Sequence, residues 1–320
     1  MPQTEKGSSA LNIAGGRIYA TISAYIGDAP PYQGHVVVID EATGDSEVFN
    51  SLCSGVRHLL SSGECPSQGS GIWGRGGAVV DPATGDVYAT TGNGPYNANA
   101  GGQDYGDSIL RLEPDNLRLL DSYTPETYRE LEEADADLGS ASPALLPKIP
   151  ESETPFMLVQ GGKDGKLRLI DREDMSGAGG PGHVGGELQE IDSAGCDTFT
   201  QPVVWGDAKN GVRVIVAGTC GIAAYDVSTD AVGTSRLRLA WKTDDESTTP
   251  VVAGGVLFAA TAGAVLALDP QTGRCLWSSE QESAGGTIGA IHWESPIAVN
   301  GRLYVPDESG AIFAYGLPNT

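Results

Sequence analysis

Short apolar runs alternate with glycine- and proline-rich turns along most of this chain. The clearest case lies near the C-terminus, where the segment 249–255 leads into apolar runs at 256–260, 265–268 and 276–277. Each run is short and bounded by turn-forming residues, a pattern typical of strands in a sheet. The segment therefore predicts four consecutive short strands.

The same order of runs recurs through the sequence. A similar unit begins at Ser295, and four earlier units begin at Gln201, Ser142, Gly77 and Ala10. Acidic residues end the third run of five units and lie 43 to 73 residues apart, a spacing typical of propeller blades. We predict an all-β fold: one β-propeller domain over residues 1–320 with six recognisable four-stranded antiparallel blades. A β-sandwich is the structural alternative.

The last unit ends without a fourth run. Propellers often close by taking the missing strand from the opposite terminus, but the segment from Met1 to Ser9 is polar and poorly suited to that role. The repeat therefore leaves two architectures open. One is a six-bladed ring, and the other is an N-terminally truncated ring of seven or eight blades.

The chain is strongly acidic. Its 320 residues include 42 Asp and Glu against 19 Lys and Arg, which gives a formal net charge of −23. This charge repels the phosphates of nucleic acids, so the sequence disfavours nucleic acid as a partner. No apolar run reaches the ~18 residues of a membrane-spanning helix, and the polar N-terminus lacks a signal-peptide core.

Two pairs of cysteines are placed for disulfide bonds. Cys53 and Cys65 fall in one loop rich in serine and glycine, Cys196 and Cys220 flank one pair of predicted strands, and Cys275 is left over. Two disulfides would indicate an oxidising compartment. The alternative is five reduced, partly buried cysteines in a cytosolic protein.

A specific motif appears in the fifth unit. Residues 267–277, with the sequence ALDPQTGRCLW, resemble the blade motif of quinoprotein dehydrogenases, and weaker copies occur at 39–44 and 224–229. In this motif Gly273 can take the positive φ of a turn, Asp269 can bond turn amides, and Trp277 can wedge between blades. The motif therefore predicts structure rather than catalysis.

The chain resembles the PQQ-like repeat family, which includes quinoprotein alcohol dehydrogenases and non-enzymatic outer-membrane assembly propellers. In the dehydrogenases, PQQ stacks between a tryptophan and a disulfide of two adjacent cysteines, while Glu, Asn and Asp side chains hold calcium. No two cysteines are adjacent in this sequence. The resemblance, with the paired cysteines, implies a periplasmic or secreted protein.

Four long loops, at 24–34, 50–75, 92–106 and 122–140, are expected on one face of the propeller and favour a binding surface there. Residues just before each innermost strand should surround the mouth of the central channel. Two cations there would suit a carboxylate or a quinone oxygen. The predicted ligand-binding residues are Trp73, Arg75, Lys163, Gln201, Thr249 and Trp293.

The segment 292–294 offers candidate catalytic groups. His292 and Glu294 form a pair that can relay protons, and on an extended strand both would point to one face. Trp293 would then point into the blade packing, although its indole is also suited to stacking on a planar ligand. A packed tryptophan beside a capped histidine is the structural alternative.

Several acidic loop residues have the spacing of calcium ligands. Asp104 and Asp107 form one candidate metal pair, with Asn93, Asn97 and Asn99 close by in sequence, and Asp135 and Asp137 form a similar pair. Solvated carboxylates are the alternative in a chain this acidic.

We therefore predict an extracytoplasmic propeller that binds a small ligand or a protein partner at its long-loop face. The alternative is a PQQ-dependent oxidoreductase acting on alcohols or sugars, with calcium as its metal. In that case His292 or an aspartate would be the base, and Arg75 or Lys163 would polarise the quinone.

Overall fold

The fold was determined as a computed structural model that describes residues 3–7, 9–207, 211–281 and 286–316. These residues form six antiparallel sheets that follow one another along the chain, so the all-β prediction and its six units are confirmed. Within the sheets, strands adjacent in sequence pair with each other, as in a propeller blade.

The first sheet contains β1 (Glu5–Lys6), β2 (Asn12–Ala14), β3 (Arg17–Ala24), β4 (His35–Asp40) and β5 (Ser46–Asn50). The second contains β6 (Val79–Val80), β7 (Val87–Thr90), β8 (Ile109–Leu112) and β9 (Leu119–Tyr123). The third contains β10 (Ala144–Leu145), β11 (Met157–Gly161), β12 (Lys166–Asp171) and β13 (Gln189–Asp192).

The fourth sheet contains β14 (Val203–Asp207), β15 (Gly211–Gly218), β16 (Gly221–Thr229) and β17 (Ser235–Lys242). The fifth contains β18 (Val251–Ala253), β19 (Val256–Thr261), β20 (Ala264–Leu268) and β21 (Cys275–Ser278). The sixth contains β22 (Ile297–Val299), β23 (Arg302–Pro306) and β24 (Ile312–Gly316). One helix, α1 (Tyr128–Ala134), and 3-10 turns at Ala98–Ala100, Leu138–Ser140 and Ser279–Gln281 lie in the loops.

The apolar core is divided into layers between consecutive sheets. Tyr19 and Val36 of the first sheet pack with Leu110 of the second, and comparable buried clusters join each later sheet to the next. Among the described residues, no such cluster joins the sixth sheet to the first. The architecture is therefore a series of sheets packed face to face.

Aspartate-containing turns link the third and fourth strands of several sheets. In one of them the Asp269 carboxylate accepts the backbone N–H of Gln271, and Gly273 has a φ of 71°. Trp277, at the end of this motif, lies 5.4 Å from the Tyr315 ring of the sixth sheet. The motif therefore has the structural role that was predicted.

Both predicted disulfides are present. Cys53–Cys65 closes the loop after β5, Cys196–Cys220 joins the loop after β13 to the turn between β15 and β16, and Cys275 is free and exposed. None of the described helices is long and apolar enough to cross a membrane.

Replacing Cys196 and Cys220 together by alanine should lower the free energy of unfolding by roughly 3 kcal/mol, because the unfolded chain regains loop entropy. Urea denaturation without reductant measures the change. The matched control is Cys275→Ala, which removes an exposed thiol and should leave the unfolding midpoint unchanged. Equal effects of the two changes would contradict a stabilising role for this disulfide.

Candidate functional site

Three aromatic side chains, each on a different loop between two sheets, lie close together. The ring of Trp73 lies 6.3 Å from Phe199 and 6.1 Å from Trp293, and Phe199 lies 6.1 Å from Trp293. Trp73 and Trp293 are nearly perpendicular, at 82°. We call these three residues the aromatic cluster. The sequence analysis missed Phe199, although it immediately precedes Thr200 in the predicted ring.

Trp293 does not point into the blade packing as predicted, because residues 292 and 293 form a bend before β22 rather than an extended strand. The Glu294 carboxylate accepts the backbone N–H groups of His292 and Trp293, at 2.7 and 3.1 Å, and holds the bend in place. The indole instead faces Arg75, whose guanidinium lies 4.4 Å from the centroid of the Trp293 ring.

His292 and Glu294 have different surroundings. The His292 ring stacks on Trp293 at 4.3 Å and lies 3.8 Å from the Glu308 carboxylate. Hydrogen bonds from the backbone, chiefly that of His292, lower the pKa of Glu294. Glu294 therefore serves to shape the bend, and a catalytic role for the pair stays a prediction.

A cavity of about 320 Å³ opens beside the aromatic cluster. It brings together three of the predicted binding residues, Arg75, Thr249 and Trp293, with the candidate catalytic residue His292. Gln201 lies elsewhere, since its amide donates to the carbonyl of Pro143 at 3.3 Å and it lines a different cavity, of about 560 Å³. The predicted binding residues thus do not all line one cavity.

Lys163 lies on Trp73 rather than beside Arg75. Its ammonium is 5.4 Å from the centroid of the Trp73 ring and pairs with Asp137 at 2.5 Å and Asp135 at 3.0 Å. Burial lowers the pKa of Lys163, but the hydrogen bonds and charges of the two aspartates raise it more, so it stays above its usual range. Lys163 is therefore a fixed cation.

The side chains of Asn93, Asp135 and Asp137 gather around this ammonium; we call them the oxygen cluster. The Asn93 backbone N–H donates to Asp137 at 2.6 Å, and its side-chain amide donates to Asp135 at 3.2 Å. The buried Asn93 Oδ1 has no hydrogen-bond partner among the described residues. Burial raises the pKa of Asp137, although Lys163 and Asn93 act in the opposite direction.

Gly92 allows the two clusters to meet. A Cβ atom at this position would lie 2.7 Å from Asp137 Oδ1 and 3.2 Å from Trp73 Nε1, both closer than ordinary contact. Any side chain here would push the carboxylate and the indole apart. The aromatic and oxygen clusters thus share one wall.

Comparison with known proteins agrees with this arrangement of repeats. Residues 199–318 match the family model described as outer membrane protein assembly factor BamB. This match covers the last three sheets of the chain. A comparison with curated protein sequences gave no match.

Two solved dehydrogenase structures are similar in fold to this chain. A europium-containing methanol dehydrogenase is 16% identical, with a TM-score of 0.59, over 97% of this chain and 65% of its own. Quinohemoprotein alcohol dehydrogenase from Comamonas testosteroni is 16% identical, with a TM-score of 0.55, over 93% and 55%. This chain thus spans less than two thirds of either dehydrogenase.

A β-propeller domain of another protein also has a similar fold. The Cps50 (Swd1) β-propeller domain of Myceliophteria thermophila is 12% identical, with a TM-score of 0.52, over 98% of this chain and 96% of its own. At such identities the likeness establishes the propeller-type fold alone.

The other two candidate metal ligands have separate partners. Asp104 accepts from the Cys53 backbone at 2.9 Å, the Asn97 amide at 2.7 Å and the Ser67 hydroxyl at 3.1 Å. Asp107 instead accepts the Leu138 backbone N–H at 3.0 Å. The two carboxylates therefore anchor different loops, and metal binding by them stays a prediction.

Asp107 is almost fully buried, and its Oδ2 has no hydrogen-bond partner among the described atoms. Burial raises its pKa well above the usual range; the bond from Leu138 opposes this, and the charge of Asp137 adds to it. The folded protein therefore holds this proton to higher pH than the unfolded chain does. As a result, the free energy of unfolding should fall as pH rises above the ordinary carboxyl pKa, until the folded-state pKa is passed.

Asp107→Asn should remove this dependence, so the free energy of unfolding of the variant should fall less steeply between about pH 4 and pH 8 than that of the wild type. Urea denaturation at a series of pH values measures the slopes. Asp45→Asn, at an exposed position, is the matched control and should keep the wild-type slope. The same slope in Asp107→Asn and in the wild type would show that Asp107 is not the group responsible.

Proposed function

We propose that the aromatic and oxygen clusters bind a planar anionic quinone together with a hard metal cation, and that the protein is a quinone-dependent oxidoreductase of alcohols. The observation that carries this proposal is the shared wall at Gly92, where an indole, three oxygen-bearing side chains and an ammonium converge. Stacking surface, metal ligands and a cation for anionic oxygens are the parts that such a site requires.

The oxygen cluster suits a hard cation. Carboxylate and amide oxygens are the ligands that Ca²⁺ prefers, and a trivalent ion such as europium, present in one of the similar dehydrogenases, has the same preference. Asn93 Oδ1 lacks a hydrogen-bond partner within the described structure, and the side chain of Asp135 is 66% exposed. The position of Lys163 between Asp135 and Asp137 supports a site for positive charge.

Trp73 would provide the stacking surface for the quinone, and Lys163 would pair with its anionic oxygens. When bound, PQQ would supply a two-electron acceptor for the oxidation. Asp135 is the carboxylate that a substrate hydroxyl could reach from solvent, so we assign it the role of proton acceptor. Trp293 meets Trp73 nearly edge to face and closes one side of the site.

The two disulfides of this chain join residues 12 and 24 positions apart rather than adjacent ones. The resemblance implied a disulfide of adjacent cysteines on the second face of the quinone; Trp293, nearly perpendicular to Trp73, would instead border the quinone at its edge. Disulfides persist in oxidising compartments, which supports a periplasmic or secreted location. We treat residues 1–320 as a single propeller domain.

The test is a titration of the full chain with Eu³⁺, followed by its luminescence, and then with PQQ, followed by quenching of tryptophan fluorescence. Asp137→Asn should weaken Eu³⁺ binding by at least about tenfold, because a charged ligand is lost. Trp73→Phe should weaken PQQ quenching and leave Eu³⁺ affinity unchanged, because it alters only the stacking surface.

Two matched controls separate local from general effects. Glu133→Gln removes an exposed charge from the nearby helix α1, and Trp205→Phe removes an indole from β14 outside the site. Both should retain wild-type binding of the ion and of PQQ. Failure of the wild-type protein to bind either one would overturn the oxidoreductase proposal and favour a module that binds a protein partner at the same face.

A further inference from the structure

The cavity of about 320 Å³ beside the aromatic cluster is separate from the proposed quinone site. Trp293 and Phe199 line it, whereas Trp73 and the residues of the oxygen cluster are not among the described residues that do so. Its volume is at the small end of the range for ligand pockets. The cavity therefore has room for a small molecule next to the quinone site, and its chemistry indicates which kind.

Arg75 places a positive charge in the wall of this cavity. Its guanidinium lies 4.4 Å from the centroid of the Trp293 ring. Burial lowers the pKa of Arg75, and the charge of Glu294 opposes this only in part. The fold thus does not fully offset the cost of burying this charge, and an anionic ligand in the cavity would offset more of it.

Thr248 adds a hydroxyl group to the same wall. Its Oγ1 atom is buried and has no hydrogen-bond partner among the described atoms. The backbone of this residue is held in place, because its N–H donates to the Ala260 carbonyl at 3.2 Å and its carbonyl accepts from the Ser247 hydroxyl at 2.8 Å. A buried hydroxyl without a partner is costly, and a ligand oxygen in the cavity would satisfy it.

A third part of the wall, at Gly218 and Thr219, is fixed by its surroundings. The disulfide Cys196–Cys220 ties this turn to the loop after β13. The two segments touch so closely that a Cβ atom on Gly218 would lie 2.3 Å from the Gly195 carbonyl oxygen. The cavity is therefore preformed, which reduces the ordering cost of binding a ligand.

The other charges and the apolar residues around the cavity narrow the class of ligand. Glu246 lines it at an exposed position, and Glu294 is close enough to Arg75 to affect its pKa. One cation beside two carboxylates suits a ligand with a single negative charge, whereas a phosphate group with nearly two charges would be repelled. Phe199 and Ile291 contribute apolar surface.

We propose that this cavity is a binding site for a small monocarboxylate with an apolar body. The carboxylate would accept hydrogen bonds from the Arg75 guanidinium and the Thr248 hydroxyl. The apolar body would lie against Phe199 and Ile291. This site goes beyond the proposed oxidoreductase activity and does not rest on it, because binding here requires neither metal nor quinone.

The test is isothermal titration calorimetry of the full chain with benzoate at about pH 8, without metal or PQQ. Benzamide has the same shape without the charge, and phenylphosphonate carries close to two charges at this pH. We expect saturable binding of benzoate and at least tenfold weaker binding of the other two compounds. A failed titration with PQQ or Eu³⁺ would leave this result unaffected, so the two proposals fail separately.

Four protein variants make the test specific. Arg75→Gln should weaken benzoate binding by at least about tenfold, and Thr248→Val, which keeps the side-chain shape, by about fivefold. Arg238→Gln is the matched control, because it removes the same charge from an exposed position on β17. Arg238→Gln should bind benzoate as the wild type does, and so should Trp73→Phe, which alters only the quinone surface.

Urea denaturation of Arg75→Gln checks that this variant is folded, and Thr248→Val provides a second test of the same site. Any of three results would overturn the proposal. The first is no saturable binding of benzoate by the wild-type protein, or equal binding of benzoate and benzamide. The second is benzoate affinity that Arg75→Gln and Thr248→Val leave at the wild-type value. The third is tighter binding of phenylphosphonate than of benzoate, which would assign the cavity to phosphate-bearing ligands.

Discussion

Face-to-face packing of short sheets is the constraint on which the rest of this structure depends. Strands of two to nine residues form sheets too small to be stable alone, so each sheet must bury apolar side chains against its neighbour. Residues such as Val159 and Val214 meet in the layer between the third and fourth sheets. Because both faces of a middle sheet are used in this way, the loops between sheets converge, and the side chains of the candidate site are carried on those loops.

The aromatic cluster carries two cations although the protein as a whole is strongly acidic. A chain with a net charge of −23 places Arg75 over Trp293 and Lys163 over Trp73, next to two aspartates. Burial raises the pKa values of Asp107 and Asp137, and the charges of neighbouring carboxylates raise them further. Lys163 offsets part of this cost, and an additional bound cation would offset more of it.

The sequence was sufficient for the repeat but not for the site. Turn aspartates, glycines and alternating apolar runs are local signals, so the six sheets and the structural motif around Gly273 could be predicted from them. Asp135 and Asp137 were predicted as a candidate metal pair, but their contact with Asn93 was not, because Asn93 and Asp137 are 44 residues apart and meet only after different sheets have packed. Trp293 was misplaced because the Glu294 carboxylate bonds the backbone two residues before it, which turns an expected strand into a bend.

The stability of a sheet in this fold depends on how many buried layers it shares with its neighbours. Among the described residues, the sixth sheet shares one buried layer, with the fifth, whereas the middle sheets have two. Local opening of such a sheet should cost less free energy. However, Trp293 precedes the sixth sheet and contacts Trp73 and Phe199, which precede the second and fourth sheets. A ligand held by the aromatic cluster would thus stabilise the sixth sheet, and ligand binding and order in this sheet would be coupled through Trp293.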